Sequence, residues 1–353
     1  MSDRGSDAST PSPSPSPSPS PSPSPLTVVV APDSYKGTLS SVQVARALAD
    51  GWLRARPADR VELAPLADGG EGTVDAIEAA GGWTHRTTMA SDPIGRPIEA
   101  AWLLSADDPP SAVVEMAAAS GLSRLTADER DPYAASSRGT GELLLAAVEA
   151  GAGHVILGIG GSATTDGGRG LLEALGATVI GPGLEDRDWS AIEVDLASLD
   201  DRLAGVAIEV ACDVDNPLLG PHGAAATYGP QKGATRDDVP VLDRRNGAWA
   251  DALEAATGRH ERETAGAGAA GGVGFALLSI ADRCRSFALR PGVELVMAAT
   301  GFDAKLADAD VVVTGEGRID AQTAHGKTAL GVAKRAQAAG IRCYAVGGTV
   351  EPD

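Results

Sequence analysis

The chain has 353 residues, with 29 Lys+Arg against 48 Asp+Glu, a formal net charge of −19 and a pI near 4.6. Such an acidic balance argues against nucleic acid or an anionic membrane as a partner, and any small anionic substrate must be held by local Lys, Arg and backbone N–H groups. No apolar run approaches bilayer-spanning length, and three cysteines without CxxC spacing fit reduced, cytoplasmic usage without structural zinc.

Residues 1–25 are set aside from the fold. Pro11 to Pro25 alternate strictly with serine and offer nothing apolar to bury, so this arm is expected to be extended and disordered. It also lacks the apolar stretch of a signal peptide. Val28-Val29-Val30-Ala31 then reads as a buried parallel strand, and Ser40 or Ser41 as the cap of an amphipathic helix. Val61 to Leu66 is a second strand, followed by Ala67-Asp68-Gly69-Gly70-Glu71-Gly72 and a helix through Ala79. Trp83 to Ala90 and Pro97 to Leu104 flank a turn-rich break and predict an antiparallel hairpin. Further strands are expected at Ala112 to Met116, His154 to Leu157 and Val206 to Asp213, with a long helix over Val239 to Thr257. After Pro291 the pattern is helix, strand Asp310 to Thr314, helix Lys327 to Ala339 and strand Ile341 to Val346. The α/β pattern at both ends predicts one parallel-sheet domain from 26–85 and 290–353, interrupted by a mixed α/β insert over 86–289.

The most informative segment is Gly158 to Gly170, a glycine- and hydroxyl-rich loop between an apolar strand and a helix start. Glycines let backbone N–H groups approach an anion, and Ser162, Thr164 and Thr165 add donors, so Gly160 and Gly161 with these hydroxyls are candidates to hold phosphate. Asp166 would be out of place beside a bare phosphate, but fits beside a cation or as the acceptor of a hydroxyl proton. Only five of the basic residues are lysines, and Lys36, Lys232 and Lys327 sit in Gly-rich segments where a compact point charge suits phosphate. Asp33, Asp68, Asp166, Asp213, Glu316 and Asp320 occupy loop positions. Most of them closely follow apolar strand runs, where open α/β sheets bind ligands. Arg138 is suited to a bidentate carboxylate clamp, or alternatively to a surface ion pair near a helix start.

Two nucleotide signatures fail on context. Gly266-Ala267-Gly268-Ala269-Ala270-Gly271 spells GxGxxG, but no apolar strand precedes it. Gly326-Lys327-Thr328 resembles the end of a phosphate-binding P-loop, but the required first glycine is Ala321. A nicotinamide-dependent hydroxy-acid oxidoreductase would need an acid for the ribose at a spacing that is absent, and a ligand sensor without turnover is the remaining alternative.

Ala31-Pro32-Asp33-Ser34-Tyr35-Lys36-Gly37, Ala67 to Thr73, Glu115 to Leu122, Ser137-Arg138-Gly139-Thr140-Gly141-Glu142 and Gly158 to Gly170 together resemble the bacterial glycerate kinase family. Cys212-Asp213-Val214, Gly229 to Ala234, Pro291 to Val296, Thr314 to Asp320 and Gly326-Lys327 extend the resemblance in order from Val28 to Gly348. It implies a flavodoxin-like domain built from both chain ends with an inserted mixed α/β domain. It also implies ATP-dependent phosphorylation of D-glycerate with Mg²⁺, yielding 2-phosphoglycerate in preference to 3-phosphoglycerate, in the phosphorylation of organic acids. On that reading Asp166, then Asp213, is the expected proton acceptor and Lys36 or Lys232 neutralises charge. Gly160, Gly161, Ser162, Thr164, Thr165, Lys232 and Lys327 hold ATP phosphates, and Asp166 and Glu316 hold the cation. Asp33, Ser34, Asp68, Gly69, Gly70 and Arg138 hold glycerate. Relatives continue past the position of Asp353 with further strand and helix, so the parallel sheet is expected to be short at that end. The oligomeric state is left open.

Overall fold

The computed structural model describes residues 24–35, 37–319 and 328–351. Most of the Ser-Pro arm, Lys36, Asp320 and Lys327 lie outside the described residues.

Both chain ends share one four-stranded parallel sheet. Its order is β12 (Arg342–Val350), β11 (Val311–Ile319), β1 (Thr27–Pro32) and β2 (Arg60–Leu63). β1 is central, and its unbroken Val28-Val29-Val30-Ala31 run follows from burial on both faces. Val28 and Val30 pack beneath α1 (Ser41–Ala55), whereas Val29 and Ala31 face the opposite layer. Ser40 caps α1 through a full capping box with Gln43.

The middle of the chain forms a six-stranded mixed sheet. From one edge it runs β10 (Ser286–Arg290), β9 (Ala207–Ala211), β6 (His154–Gly158), β5 (Ser111–Glu115), β4 (Pro97–Ser105) and β3 (Trp83–Ser91). The first four are parallel, and β4 and β3 form the expected antiparallel hairpin. The fold is therefore α/β, with a parallel-sheet core and an inserted mixed α/β part. A core layer containing Ile77 of α2 (Thr73–Ala80) and Val296 of α9 (Gly292–Ala299) joins the sheets, contacting Val29 and Val312 on one side and Val113 and Ile156 on the other. On the far face of the larger sheet, α4 (Arg138–Glu149), α5 (Arg169–Ala174), α7 (Val239–Thr257) and α8 (Val273–Ser279) close a second core around Leu157, Leu171, Trp249 and Phe275.

Two expectations shift. β11 continues through Gly315-Glu316-Gly317 to Ile319, so Glu316 stands inside a strand rather than in a loop after one. Its pairing with β12 accounts for the extension, since the glycine-rich backbone can stay extended when the neighbouring strand supplies hydrogen bonds. Second, strand β10 and the small antiparallel pair β7 (Thr178–Ile180) and β8 (Glu193–Asp195) carry no clear sequence pattern, being short and only half buried.

Candidate active site

A cleft of about 1100 Å³ opens where strand ends of both sheets converge. Ser34 follows β1; Asp68, Gly70 and Glu71 follow β2; Glu115 ends β5; Gly160, Gly161 and Ser162 follow β6; Asp213 follows β9. All of these strands present their C-terminal ends, the position where open α/β sheets bind ligands.

The floor requires glycine. Gly69 has φ +86°, and a Cβ there would lie 2.3 Å from Ala211 Cβ; a Cβ on Gly160 would lie 2.6 Å from Gly70 Cα. Gly160 N–H donates to Gly69 O at 3.2 Å. Gly69, Gly70 and Gly160 thus press the loops after β2 and β6 together. Gly161 and Ser162 line the cleft, and among the described residues their backbone N–H groups have no hydrogen-bond acceptor. Free N–H groups on a glycine turn are suited to phosphate oxygens.

Asp166 is elsewhere. It is fully buried behind the loop and does not line the cleft. Its Oδ2 accepts from Ser137 N and Ser137 Oγ, both at 2.8 Å, and from Gly170 N at 3.2 Å, while Oδ1 accepts from Gly168 N at 3.1 Å. So saturated a carboxylate ties the loop to the N-terminal turns of α4 and α5. This placement argues against the expected proton-acceptor and cation roles, because both oxygens are already committed. Thr164 and Thr165 are equally turned inward: Thr165 Oγ1 donates to Pro132 O and Thr164 Oγ1 to Ala270 O at 3.5 Å. Of the three loop hydroxyl residues, only Ser162 lines the cleft.

Lys232 is buried beneath the loop, not presented to solvent. Its Nζ lies 2.8 Å from Ser162 Oγ and donates to Thr164 O at 2.6 Å. Burial pushes its pKa down to about 7, against the opposing pull of Asp166. Arg138 takes the surface alternative, its half-exposed guanidinium pairing with Glu142 at 3.1 Å and Glu173 at 4.0 Å, outside the cleft. Asp33 braces the end of β1: Oδ2 accepts from Thr328 Oγ1 and Oδ1 from Ser34 N, both at 2.6 Å. Glu316 is buried, and its Oε1 makes no hydrogen bond among the described residues. Among those residues no group of three or more His, Cys, Asp or Glu side chains is spaced to hold a metal ion.

Asp213 does reach the cleft. Although Asp213 is solvent-exposed, desolvation by the surrounding cleft wall raises its pKa to about 6, reinforced by the charges of Asp68 and Glu294 and opposed by the Gly292 N–H that Oδ1 accepts at 3.0 Å. Asp68 lines the same wall, its Oδ1 accepting from Gly70 N at 3.1 Å. Glu115 was missed as a site residue, although it too is an acid closing an apolar strand run. Its carboxylate accepts from Gly72 N at 3.1 Å and Val74 N at 3.0 Å, capping α2 at the cleft edge, and burial lifts its pKa to about 7. Arg124, which no strand-end pattern marks, also lines the cleft.

α7 holds the loop from behind. Trp249 Nε1 donates to Gly167 O at 2.9 Å, and Arg245, stacked 4.3 Å over Trp189, donates to Thr165 O at 3.2 Å. The loop is therefore a preorganised surface rather than a mobile flap.

Among the described residues no helix is long and apolar enough to cross a membrane. The model of the glycerate kinase family matches residues 28–353. The glycerate kinase of Bacillus subtilis (strain 168) is 44% identical over 335 residues, covering 93% of this chain and 86% of that protein. The glycerate 2-kinase of Escherichia coli (strain K12) is 42% identical over 318 residues, 88% of this chain and 82% of its own. The crystal structure of a Salmonella typhimurium LT2 protein assigned as glycerate kinase 2 superposes with a TM-score of 0.81 at 41% identity, covering 93% of this chain and 90% of the other. With a family model matching residues 28–353, relatives more than 40% identical over most of both chains and a solved structure superposing at a TM-score of 0.81, the chain is an enzyme that belongs to the glycerate kinase family.

Proposed function

We propose that this enzyme transfers the γ-phosphoryl group of ATP to the 2-hydroxyl of D-glycerate, releasing ADP. The observation that carries the reading is the meeting, in one cleft, of unbonded N–H groups at Gly161 and Ser162 with the carboxylate of Asp213. Phosphoryl transfer needs positioning and charge neutralisation more than covalent chemistry. The two N–H groups and the Ser162 hydroxyl receive the transferring phosphoryl oxygens. Asp213, ionised at neutral pH yet more basic than an ordinary aspartate, accepts the glycerate hydroxyl proton as that oxygen attacks phosphorus. Arg124 is placed to meet an anion, and Lys36 is proposed to add charge neutralisation.

Mg²⁺ fits one of the two expected ligands. Asp166 already spends both carboxylate oxygens on hydrogen bonds; Glu316, which is not among the residues lining the cleft, keeps a buried Oε1 without a partner among the described residues and is the one of the two left to hold the ion. When bound, the cation neutralises phosphate charge in a cleft whose wall carries Asp68, Glu71, Asp75, Glu115 and Asp213. The 2-position follows the name of the Escherichia coli relative. We also place the limits of the insert at Trp83 and Arg290, because β3 pairs with β4 and β10 with β9 as the two edges of the six-stranded sheet, and assign the enzyme to the cytoplasm. Phosphorus NMR of the product tests the regiochemistry: a phosphate ester coupled to the single proton on C2 is expected, and coupling to the C3 methylene protons would overturn it.

A further inference from the structure

Ser162 and Lys232 form a pair that phosphate binding alone does not account for. Ser162 lines the cleft, and Lys232 lies directly behind it with 1% of its surface exposed. No carboxylate among the described residues is hydrogen-bonded to Nζ, because the nearby Asp166 spends its oxygens on Ser137, Gly168 and Gly170. A charged ammonium would therefore be buried without an ion pair, an expensive arrangement. A neutral amine suits the same site: one N–H donates to Thr164 O at 2.6 Å, and Nζ stands 2.8 Å from Ser162 Oγ, within reach to take its proton. The burial that lowers the Lys232 pKa to about 7 acts in the same direction. A serine hydroxyl in the cleft wall, a desolvated base at hydrogen-bonding distance and a backbone carbonyl that orients the base constitute an activated nucleophile. The unbonded N–H groups of Gly161 and Ser162 beside it are donors for negative charge developing on an attacked centre.

We propose that Ser162, with Lys232 as its base, is a nucleophile that takes the γ-phosphoryl group of ATP when no glycerate occupies the cleft. Ser162 Oγ bonds to the γ-phosphorus and the bond from that phosphorus to the bridging oxygen of ADP breaks. The hydroxyl proton passes to Lys232 Nζ and ADP leaves. The product is a phosphoserine in the wall of the active site. The proposal rests on ATP binding in this cleft, as in the reading above.

The full-length enzyme is incubated with ATP and Mg²⁺ without glycerate, and separately with a fluorophosphonate, which reports serine nucleophilicity without any nucleotide. The expected results are a gain of about 80 Da from ATP, mapped to Ser162, and fluorophosphonate labelling at the same residue. Both should vanish in Ser162→Ala and fall steeply in Lys232→Met, with circular dichroism verifying the fold. Should Lys232→Met not fold, Ser162→Ala alone decides, because it removes one buried hydroxyl and leaves the lysine in place. Absence of fluorophosphonate on Ser162 overturns the nucleophile, and absence of phosphate on Ser162 overturns the transfer. Glycerate-dependent ADP release from the same preparation separates these failures from failure of the kinase reading: turnover with an unmodified Ser162 overturns the proposal alone.

Discussion

Two aspartates near one glycine loop have opposite environments, and the difference separates a structural tie from the proposed proton acceptor. Asp166 receives four hydrogen bonds in a fully buried setting and works as a structural tie; Asp213 receives one and faces the cleft. Asp166→Asn would place an amide N–H₂ where backbone donors point. Leaving buried donors unpaired typically costs about 1–3 kcal/mol each, so the variant is expected to melt well below the parent. A melting temperature equal to the parent's would contradict the structural role. For Asp213 the expectation lies in the pH profile. The acceptor must be ionised, and desolvation at the cleft wall with the charges of Asp68 and Glu294 raises its pKa to about 6, so kcat/KM should fall as pH drops through about 6. A profile flat down to the ordinary aspartate range would show that another group accepts the proton. Arg138, engaged by Glu142 and Glu173 outside the cleft, should be replaceable by alanine with little change in the KM for glycerate.

At the scale of elements, the glycine loop depends on neighbours that meet it backbone to backbone. Gly69 combines a left-handed φ with a Cβ position 2.3 Å from Ala211 Cβ. Gly69→Ala must therefore shift β9 or the loop itself, and a loss of roughly 1–3 kcal/mol in stability is expected from the strain. Urea unfolding of the two proteins measures it, and coincident curves would refute the tight approach. Glu115 links β5 to α2, and its raised pKa makes a signed prediction. The folded state holds the Glu115 proton more tightly than the unfolded chain, so its contribution to stability is full at low pH and lost as pH rises through about 7. Melting temperatures at pH 5 and pH 8 should differ less in Glu115→Gln than in the parent.

Much of this architecture was legible in the residues. The Val28-Val29-Val30-Ala31 run announced a strand buried on both faces, and the turn between Trp83 and Leu104 announced a hairpin. The cleft was legible too, because acids and glycines after apolar runs mark C-terminal strand ends; applied evenly, the same signal would have found Glu115. What the sequence could not reveal is which way a loop side chain points. Asp166, Thr164 and Thr165 belong to the same polar, glycine-rich string as Ser162, yet Pro132, Ser137 and Ala270 draw them inward from distant parts of the chain. Lys232 likewise reads as a point charge in a Gly-rich turn, suited to phosphate, until the fold buries it under that loop.

Across the whole molecule, the two sheets share one core layer, and the cleft lies where their strand ends meet. Ligands that touch both sides should bind the folded state only and raise its stability together. At 100 times its dissociation constant a ligand contributes about 2.7 kcal/mol. ATP with Mg²⁺ should therefore raise the melting temperature clearly, whereas ATP with EDTA should do so much less, given the acids that line the cleft. The central claim is that this cleft phosphorylates D-glycerate with Asp213 as the proton acceptor. Mg²⁺-dependent ADP release with D-glycerate, compared between the parent and Asp213→Asn at pH 8, tests it most directly. The account predicts turnover in the parent and a loss of about 10²–10⁴-fold in kcat in the variant, with little change in the KM for ATP. A parent that releases no ADP with D-glycerate, or a variant that turns over like the parent, would contradict it.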